Sequence, residues 1–239
     1  MSQIALHISN GIIDGPVSAA FGAVAIIGLA IAIARARADL DDRLAPMAGL
    51  VAAFIFAAQM LNFFVVPGVS GHLLGGALAA VLVGPWVGAA CVATVLFIQA
   101  LFADGGITAL GLNVTNMALL ATAAGYLVVV LLLRVLPRTR RGLVISVFVA
   151  SVVSVSVAAQ GFVLQYLLGG TTQFEDGIGG LVLAMAGTHA LIGIGEGIIA
   201  AVTVATVARV RPDLVYALRR FPPRPAVAPA TTVTVGGGA

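Results

Sequence analysis

The feature that most limits what this chain can fold into is a succession of apolar stretches running from Val17 to Val210, parted by short charged or turn-rich links. Stretches of this kind suit helices through about 30 Å of hydrocarbon, where backbone hydrogen bonds must close within the segment. The strict alternation of an outer-membrane strand is absent. Only 9% of the residues are charged and the mean hydropathy is +1.14, whereas roughly a quarter of a soluble domain is charged. The expected fold class is an all-α integral membrane protein.

The expected spans are 17–34, 45–66, 72–83, 87–103, 109–135, 142–168 and 180–210. The third and fourth could be one helix interrupted at Gly84-Pro85-Trp86, and the arginines decide between the two readings. All twelve basic residues are arginines. With two helices there, Arg35 to Arg43, Arg134 to Arg141 and Arg209 to Arg220 share the cytoplasmic side, as positively charged loops should. A bundle of seven transmembrane helices follows, multi-pass in the cell inner (cytoplasmic) membrane, with the N-terminus outside and the C-terminus in the cytoplasm. The third helix, about 12 residues or 18 Å at 1.5 Å per residue, should be short and half-buried. Residues 1–220 form one transmembrane domain, and the Pro/Gly-rich residues 221–239 are expected to be a disordered cytoplasmic tail. Residues 1–16 carry Asn10-Gly11 and Asp14-Gly15-Pro16, both bend signals, and read as a folded external arm. They lack a basic region followed by an apolar core, so they should be retained rather than cleaved.

Composition also removes function classes. The net charge of +3 comes from loop arginines, with no basic patch interleaved with aromatics, so nucleic acid is not a partner. The single cysteine, Cys91, lies in an apolar run and reads as a packing residue, which leaves no disulfide framework and no cysteine metal site. The chain contains no lysine, so it has no phosphate-binding P-loop of its own. It also lacks His-Glu-x-x-His and Gly-x-Ser-x-Gly, the residues of intramembrane proteolysis and lipase chemistry. It is not expected to be an enzyme. A self-sufficient secondary carrier would want several buried carboxylates and a repeat, but Glu196 is the one acid deep in a span.

Polar residues inside apolar stretches are therefore the functional signal. Ser70-Gly71-His72-Leu73-Leu74-Gly75-Gly76 sets an imidazole among glycines that permit close backbone approach. Asn113 and Asn116 lie near the outer end of one expected span, and His189 and Glu196 occur in another. All four should converge on the layer that holds His72, because isolated polar groups at that depth are costly. His189 and Glu196 are seven residues apart, two turns on one face, which is not the spacing of paired ligands on a helix. They read as supports for a site rather than as its donors. Ala45, Gly49, Ala53 and Ala57, with Ala48 and Ala52 beside them, make a small-residue stripe that lets another helix approach closely.

Six blocks carry a resemblance to a known family. They are His7-Ile-Ser-Asn-Gly-Ile-Ile-Asp14-Gly-Pro, Gln59-Met-Leu-Asn62-Phe, Ser70-Gly-His72-Leu-Leu-Gly-Gly, Gly84-Pro-Trp, Ala109-Leu-Gly-Leu-Asn113-Val-Thr-Asn116-Met-Ala and His189-Ala-Leu-Ile-Gly-Ile-Gly-Glu196. Together, over about residues 6–220, they resemble the CbiM/NikM family, the substrate-capturing membrane components of energy-coupling factor transporters for cobalt and nickel. The resemblance implies an external N-terminus inserted into a seven-helix bundle. It implies as partners a transmembrane coupling protein, two ATPase subunits and often a small accessory membrane subunit. It implies no cofactor, the ion being the transported substrate. It further implies a square plane of nitrogens from the terminal amine, the next backbone nitrogen and two imidazoles, which by position are those of His7 and His72. The amine-bearing position is then Leu6, and the active chain is expected to start there, a leucine codon that initiates translation being read as methionine. Asn62, Ser70, Asn113, Asn116, His189 and Glu196 become supporting residues, and the stripe on Ala45, Gly49, Ala53 and Ala57 the contact with the coupling protein. Imidazole suits both metals, so cobalt and nickel stay open. The alternatives are a capture subunit for a small organic molecule such as a vitamin, with His72 as a hydrogen-bonding group, and the secondary carrier.

Overall fold

The structure, a computed structural model, describes residues 7–42, 44–66, 69–102, 105–174 and 177–222. Helix α1 (Gly15–Asp39) starts where Asp14 Oδ1 accepts from the Val17 amide at 2.8 Å and a proline occupies the first turn. It runs past the expected end at 34 and carries Arg35 and Arg37 on its own last turns. Helix α2 (Leu44–Gln59) is capped in the same way, the Leu44 amide donating to Asp41 Oδ1 at 2.6 Å.

The largest departure from the sequence reading comes next. The expected second span, 45–66, ends as a helix at Gln59. Asn62–Val66 is instead a strand, β1, paired antiparallel with β2 (Val69–His72) in the register Asn62↔His72, Phe63↔Gly71 and Phe64↔Ser70. Phe63 to Val66 is aromatic and β-branched, and the Pro67-Gly68 that follows cannot continue a helix. A short apolar run of this kind reads equally as strand or helix until a partner strand is available. Among the described residues, this hairpin supplies the two strands, and Ile13 and Gly170 form an isolated antiparallel bridge. The expected third helix, 72–83, is shortened for the same reason: His72 ends β2, Leu73 to Gly75 are non-helical, and α3 is Gly76–Val83. Gly75 makes the turn at φ +78°, a backbone conformation open to glycine without strain.

Every residue of α3 is buried, so this short helix is enclosed by protein rather than half-buried. It packs against α2, α4 (Pro85–Leu101), α6 (Ala121–Val135), α7 (Arg140–Gly169) and α8 (Gly177–Val210). The expected break at Gly84-Pro85 is present, with Gly84 at φ +91° and Pro85 opening α4. Ahead of α6, α5 (Leu110–Asn113) and a π-helical stretch (Val114–Leu120) complete one rod, Leu110–Val135. After a 3-10 turn at Pro212–Leu214, α9 (Tyr216–Arg220) folds back against α3. Residues 223–239, the body of the expected tail, lie outside the described residues.

Among the described residues, four helices are long and apolar enough to cross a membrane: Gly15–Asp39, Leu110–Val135, Arg140–Gly169 and Gly177–Val210. Their outer faces display Ile26, Leu131, Leu183 and Leu191, of which Leu183 is 75% exposed. Hydrocarbon solvates such a surface and water does not. Inside lie two apolar clusters. The larger surrounds α3, and the smaller, with Ile13, Leu112, Phe162, Leu181 and Met185, lies under the N-terminal residues. Cys91 is buried, its thiol directed at the Ala48 carbonyl 3.5 Å away, as a packing residue should be.

Candidate metal centre

Residues 7–14 take a non-helical course whose backbone groups find partners far along the chain. The Ile8 amide donates to Asn113 Oδ1 at 3.2 Å, and Asn113 Nδ2 returns a bond to the Ile8 carbonyl at 3.4 Å. A single asparagine thus treats the arm as a partner strand. The Gly106 amide donates to the Ile8 carbonyl at 3.1 Å, and Asn10 Oδ1 accepts from the Thr108 amide and hydroxyl at 3.0 and 2.7 Å. Farther on, the Thr171 amide donates to the Ile12 carbonyl at 3.0 Å and the Asp14 amide to the Gly169 carbonyl at 2.7 Å. These bonds bring His7 to the inside of the bundle, where it is buried.

The hairpin brings His72 to the same place. Gly71 permits this approach, since a Cβ there would lie 2.6 Å from Ile192 Cδ1 and 3.1 Å from His189 Nε2. The His7 and His72 ring centroids are 4.5 Å apart, with the planes tilted by 58°. Two nitrogens held at about 2 Å from one ion stand roughly 3 to 4 Å apart, a separation that rings this close can reach. His72 lies on the hairpin, outside the spanning helices. Burial, with the His7 ring next in effect, pushes its imidazole down to about 3, so it is neutral, the form that binds metals.

The two histidines line a cavity of about 70 Å³ with His189, Asn113, Asn116, Met117 and Met185. The supporting residues expected from sequence divide into three groups. Asn113, Asn116 and His189 reach the cavity wall. Asn116 is locked by a reciprocal pair with Gln165 on α7, at 2.8 and 3.0 Å, and His189 Nδ1 donates to the Met185 carbonyl at 2.9 Å. Glu196 does not reach the wall; its Oε2 accepts from the Leu74 amide at 2.6 Å, behind His72. Asn62 and Ser70 are described by backbone alone, Asn62 paired with His72 and Ser70 with Phe64. Leu6 lies outside the described residues. Among the described residues no three His, Cys, Asp or Glu side chains gather into a metal cage. Ala45, Gly49, Ala53 and Ala57 all face outward on α2, opposite its buried Met47, Val51 and Ile55.

Two glutamines escaped the sequence reading of the site. Gln59 and Gln165 are each 0% exposed. The signal was present, because an amide in an apolar run must find a partner or cost free energy. Gln165 partners Asn116, and Gln59 Nε2 donates to the Leu74 carbonyl at 2.9 Å. The π-helical stretch has a role here as well: it begins directly after Asn113 and contains Asn116, and both are buried. Such widened turns recur at functional sites.

Comparison with known proteins gives the same direction. The family model CbiM, described as the cobalt uptake substrate-specific transmembrane region, matches residues 7–214. A protein of Archaeoglobus fulgidus named as a putative fused nickel transport protein NikMN is 40% identical over 88% of this chain and 68% of its own length. A cobalt transport protein CbiM of Sorangium cellulosum is 30% identical over 90% of this chain and 96% of its own. A crystal structure of a truncated transition metal transporter superposes with a TM-score of 0.74 at 28% identity, over 85% of this chain and 99% of that one.

Proposed function

Because this chain belongs to the CbiM family, we propose that it is the membrane subunit that captures a divalent cobalt or nickel ion outside the cell for uptake. The observation that carries the reading is the pair of buried imidazoles, 4.5 Å apart, on the wall of a cavity of about 70 Å³. A pocket for an organic molecule spans about 300 to 1,000 Å³, so this space favours an ion over a vitamin. Imidazole nitrogens suit both metals, and a planar set of them suits nickel. His7 and His72 are the side-chain donors in this reading, and backbone nitrogens at and before His7 complete the set.

The chain has no lysine and so no P-loop of its own, and in this reading the energy for release comes from partners: a coupling membrane protein and two ATPase subunits, with a small accessory membrane subunit in some assemblies. Helices α1 to α4, the rod Leu110–Val135, α7 and α8 serve as seven spans, with the histidines toward the outer face and the arginine-rich links in the cytoplasm. The buried, eight-residue α3 supports this count, because a span enclosed by protein need not match the bilayer thickness.

Calorimetric titration of the purified chain with Ni(II) and with Co(II), beside His72→Ala, tests the reading. One ion bound tightly per chain and lost in the variant is the expected result. Equal binding by the variant would remove the site.

A further inference from the structure

His72 Nδ1 lies 2.8 Å from the Leu73 carbonyl oxygen. A carbonyl only accepts, so Nδ1 carries the proton and Nε2 keeps the lone pair for an ion. That carbonyl belongs to the same planar peptide unit as the Leu74 amide, and in a trans peptide the two point to opposite sides. The Leu74 amide donates to Glu196 Oε2 at 2.6 Å. Whatever fixes the amide therefore also fixes the carbonyl that sets the tautomer and tilt of the His72 ring. The next peptide unit is held too, with the Leu74 carbonyl accepting from Gln59 Nε2 at 2.9 Å.

Leu73 and Leu74 lie between the end of β2 and the Gly75 cap of α3, where neither a ladder nor a helix serves the Leu74 amide and carbonyl. Buried groups there need partners from elsewhere, and α2 and α8 supply them from positions 15 and 122 residues away. Gln59 is 0% and Glu196 3% exposed, and neither lines the histidine cavity. Both stand behind the donor, where neither touches the ion.

We propose that Glu196 is a positioning residue for His72, acting through the Leu73–Leu74 peptide unit, with Gln59 clamping the other side of the turn. This is the arrangement of a carboxylate that orients a metal-bound histidine, with one peptide unit inserted between the two. The proposal rests on His72 being a metal donor, so its test includes a readout that needs no metal. A carboxylate on an ion path would act through its charge, whereas a positioning group acts through its acceptor oxygen. Glu196→Gln keeps an oxygen that can accept, and Glu196→Leu does not.

In metal-free protein labelled with ¹⁵N, the His72 ring should show Nδ1 protonated in the parent and in Glu196→Gln, and mixed tautomers in Glu196→Leu and Gln59→Leu. In Ni(II) titrations the two leucine variants should lose about 10- to 100-fold in affinity, as outer partners of metal-bound histidines do, while Glu196→Gln stays close to the parent. Unchanged ring signals in both leucine variants would overturn the proposal, as would a Glu196→Gln as impaired as Glu196→Leu. If Glu196→Leu does not fold, Gln59→Leu and Glu196→Gln still decide. If the parent binds neither metal, the functional reading fails while the ring signals still report on the clamp.

Discussion

The two imidazoles are held by supports of opposite character. His72 ends a hairpin whose following turn is gripped by two buried side chains, with bonds of 2.6 and 2.9 Å, and whose Gly71 lies close against Ile192 and His189 of α8. His7 sits on an arm whose bonds to Asn113 are 3.2 and 3.4 Å, and whose bonds to Thr108 are solvent-exposed. Exposed backbone bonds open with little free energy, and buried ones open with the whole fold. Both rings are buried, but one is fastened by buried side chains and the other by bonds that are partly or fully open to solvent. A capture subunit needs both properties, since an ion must be gripped on arrival and freed later. In the proposed reading, opening the arm would remove the His7 donor and leave the core around α3 in place.

The sharpest way to break this comparison is to remove the donor on the weaker support. His7→Ala should abolish tight Ni(II) binding as fully as His72→Ala does, because either change deletes a metal–nitrogen bond. The loss should exceed the roughly 100-fold limit typical of supporting residues. The fold should survive, since the arm is laid on the smaller apolar cluster and does not build the core around α3. Titration calorimetry with a thermal melt on the same sample measures both. Retained tight binding in His7→Ala would mean that the ion does not bridge the two supports.

Removing a grip on the arm sharpens the comparison further. In Asn113→Ala the Ile8 amide and carbonyl lose their side-chain partner, so about tenfold weaker binding is expected, the lower end of the range for supporting contacts. Hydrogen exchange should show Ile8 opening faster while the Leu74 amide keeps the protection of the parent. If Leu74 loosens as much as Ile8, the two supports form one unit and the arm cannot be a separate release element.

How much of this could be read from the residues follows the range of the contacts. The long helices were legible because membrane-length apolar runs bounded by arginines admit one reading, and the glycine–proline break before α4 announced itself. The blocks they sit in singled out His7 and His72 as candidate donors, and the fold sets their rings 4.5 Å apart. The hairpin was not, because Phe63 to Val66 continues the apolar run of α2 and only pairing with β2 makes it a strand. Glu196 stood out as a buried acid, but its partner is a backbone amide 122 residues away, and no local pattern carries that distance. Gln59 was visible inside a motif and meaningless without the turn it clamps. The π-helical stretch left a trace only in two asparagines set three apart within an apolar run, both turned inward.

The smallest effect on binding is expected from a change that touches neither support. Gly49 lies on the outer face of α2, and a Cβ placed there meets nothing within 4 Å. Gly49→Leu should therefore leave Ni(II) affinity, the arm and the hairpin as they are. Its neighbours Ala45, Ala53 and Ala57 are equally exposed, and a flat face of small residues suits a close approach by another membrane helix. If the coupling protein packs on this face, the added leucine stands in the interface, and metal uptake by the assembled transporter should fall while capture by the isolated subunit does not. The link to the site is short, because α2 ends in Gln59, which grips the turn behind His72. A partner that moves α2 therefore acts on the fixed donor rather than on the arm. Uptake by vesicles containing the whole transporter, beside titration of the purified variant, separates the two outcomes. Undiminished uptake with the leucine in place would free this face of α2 from the coupling contact and leave release to the arm alone.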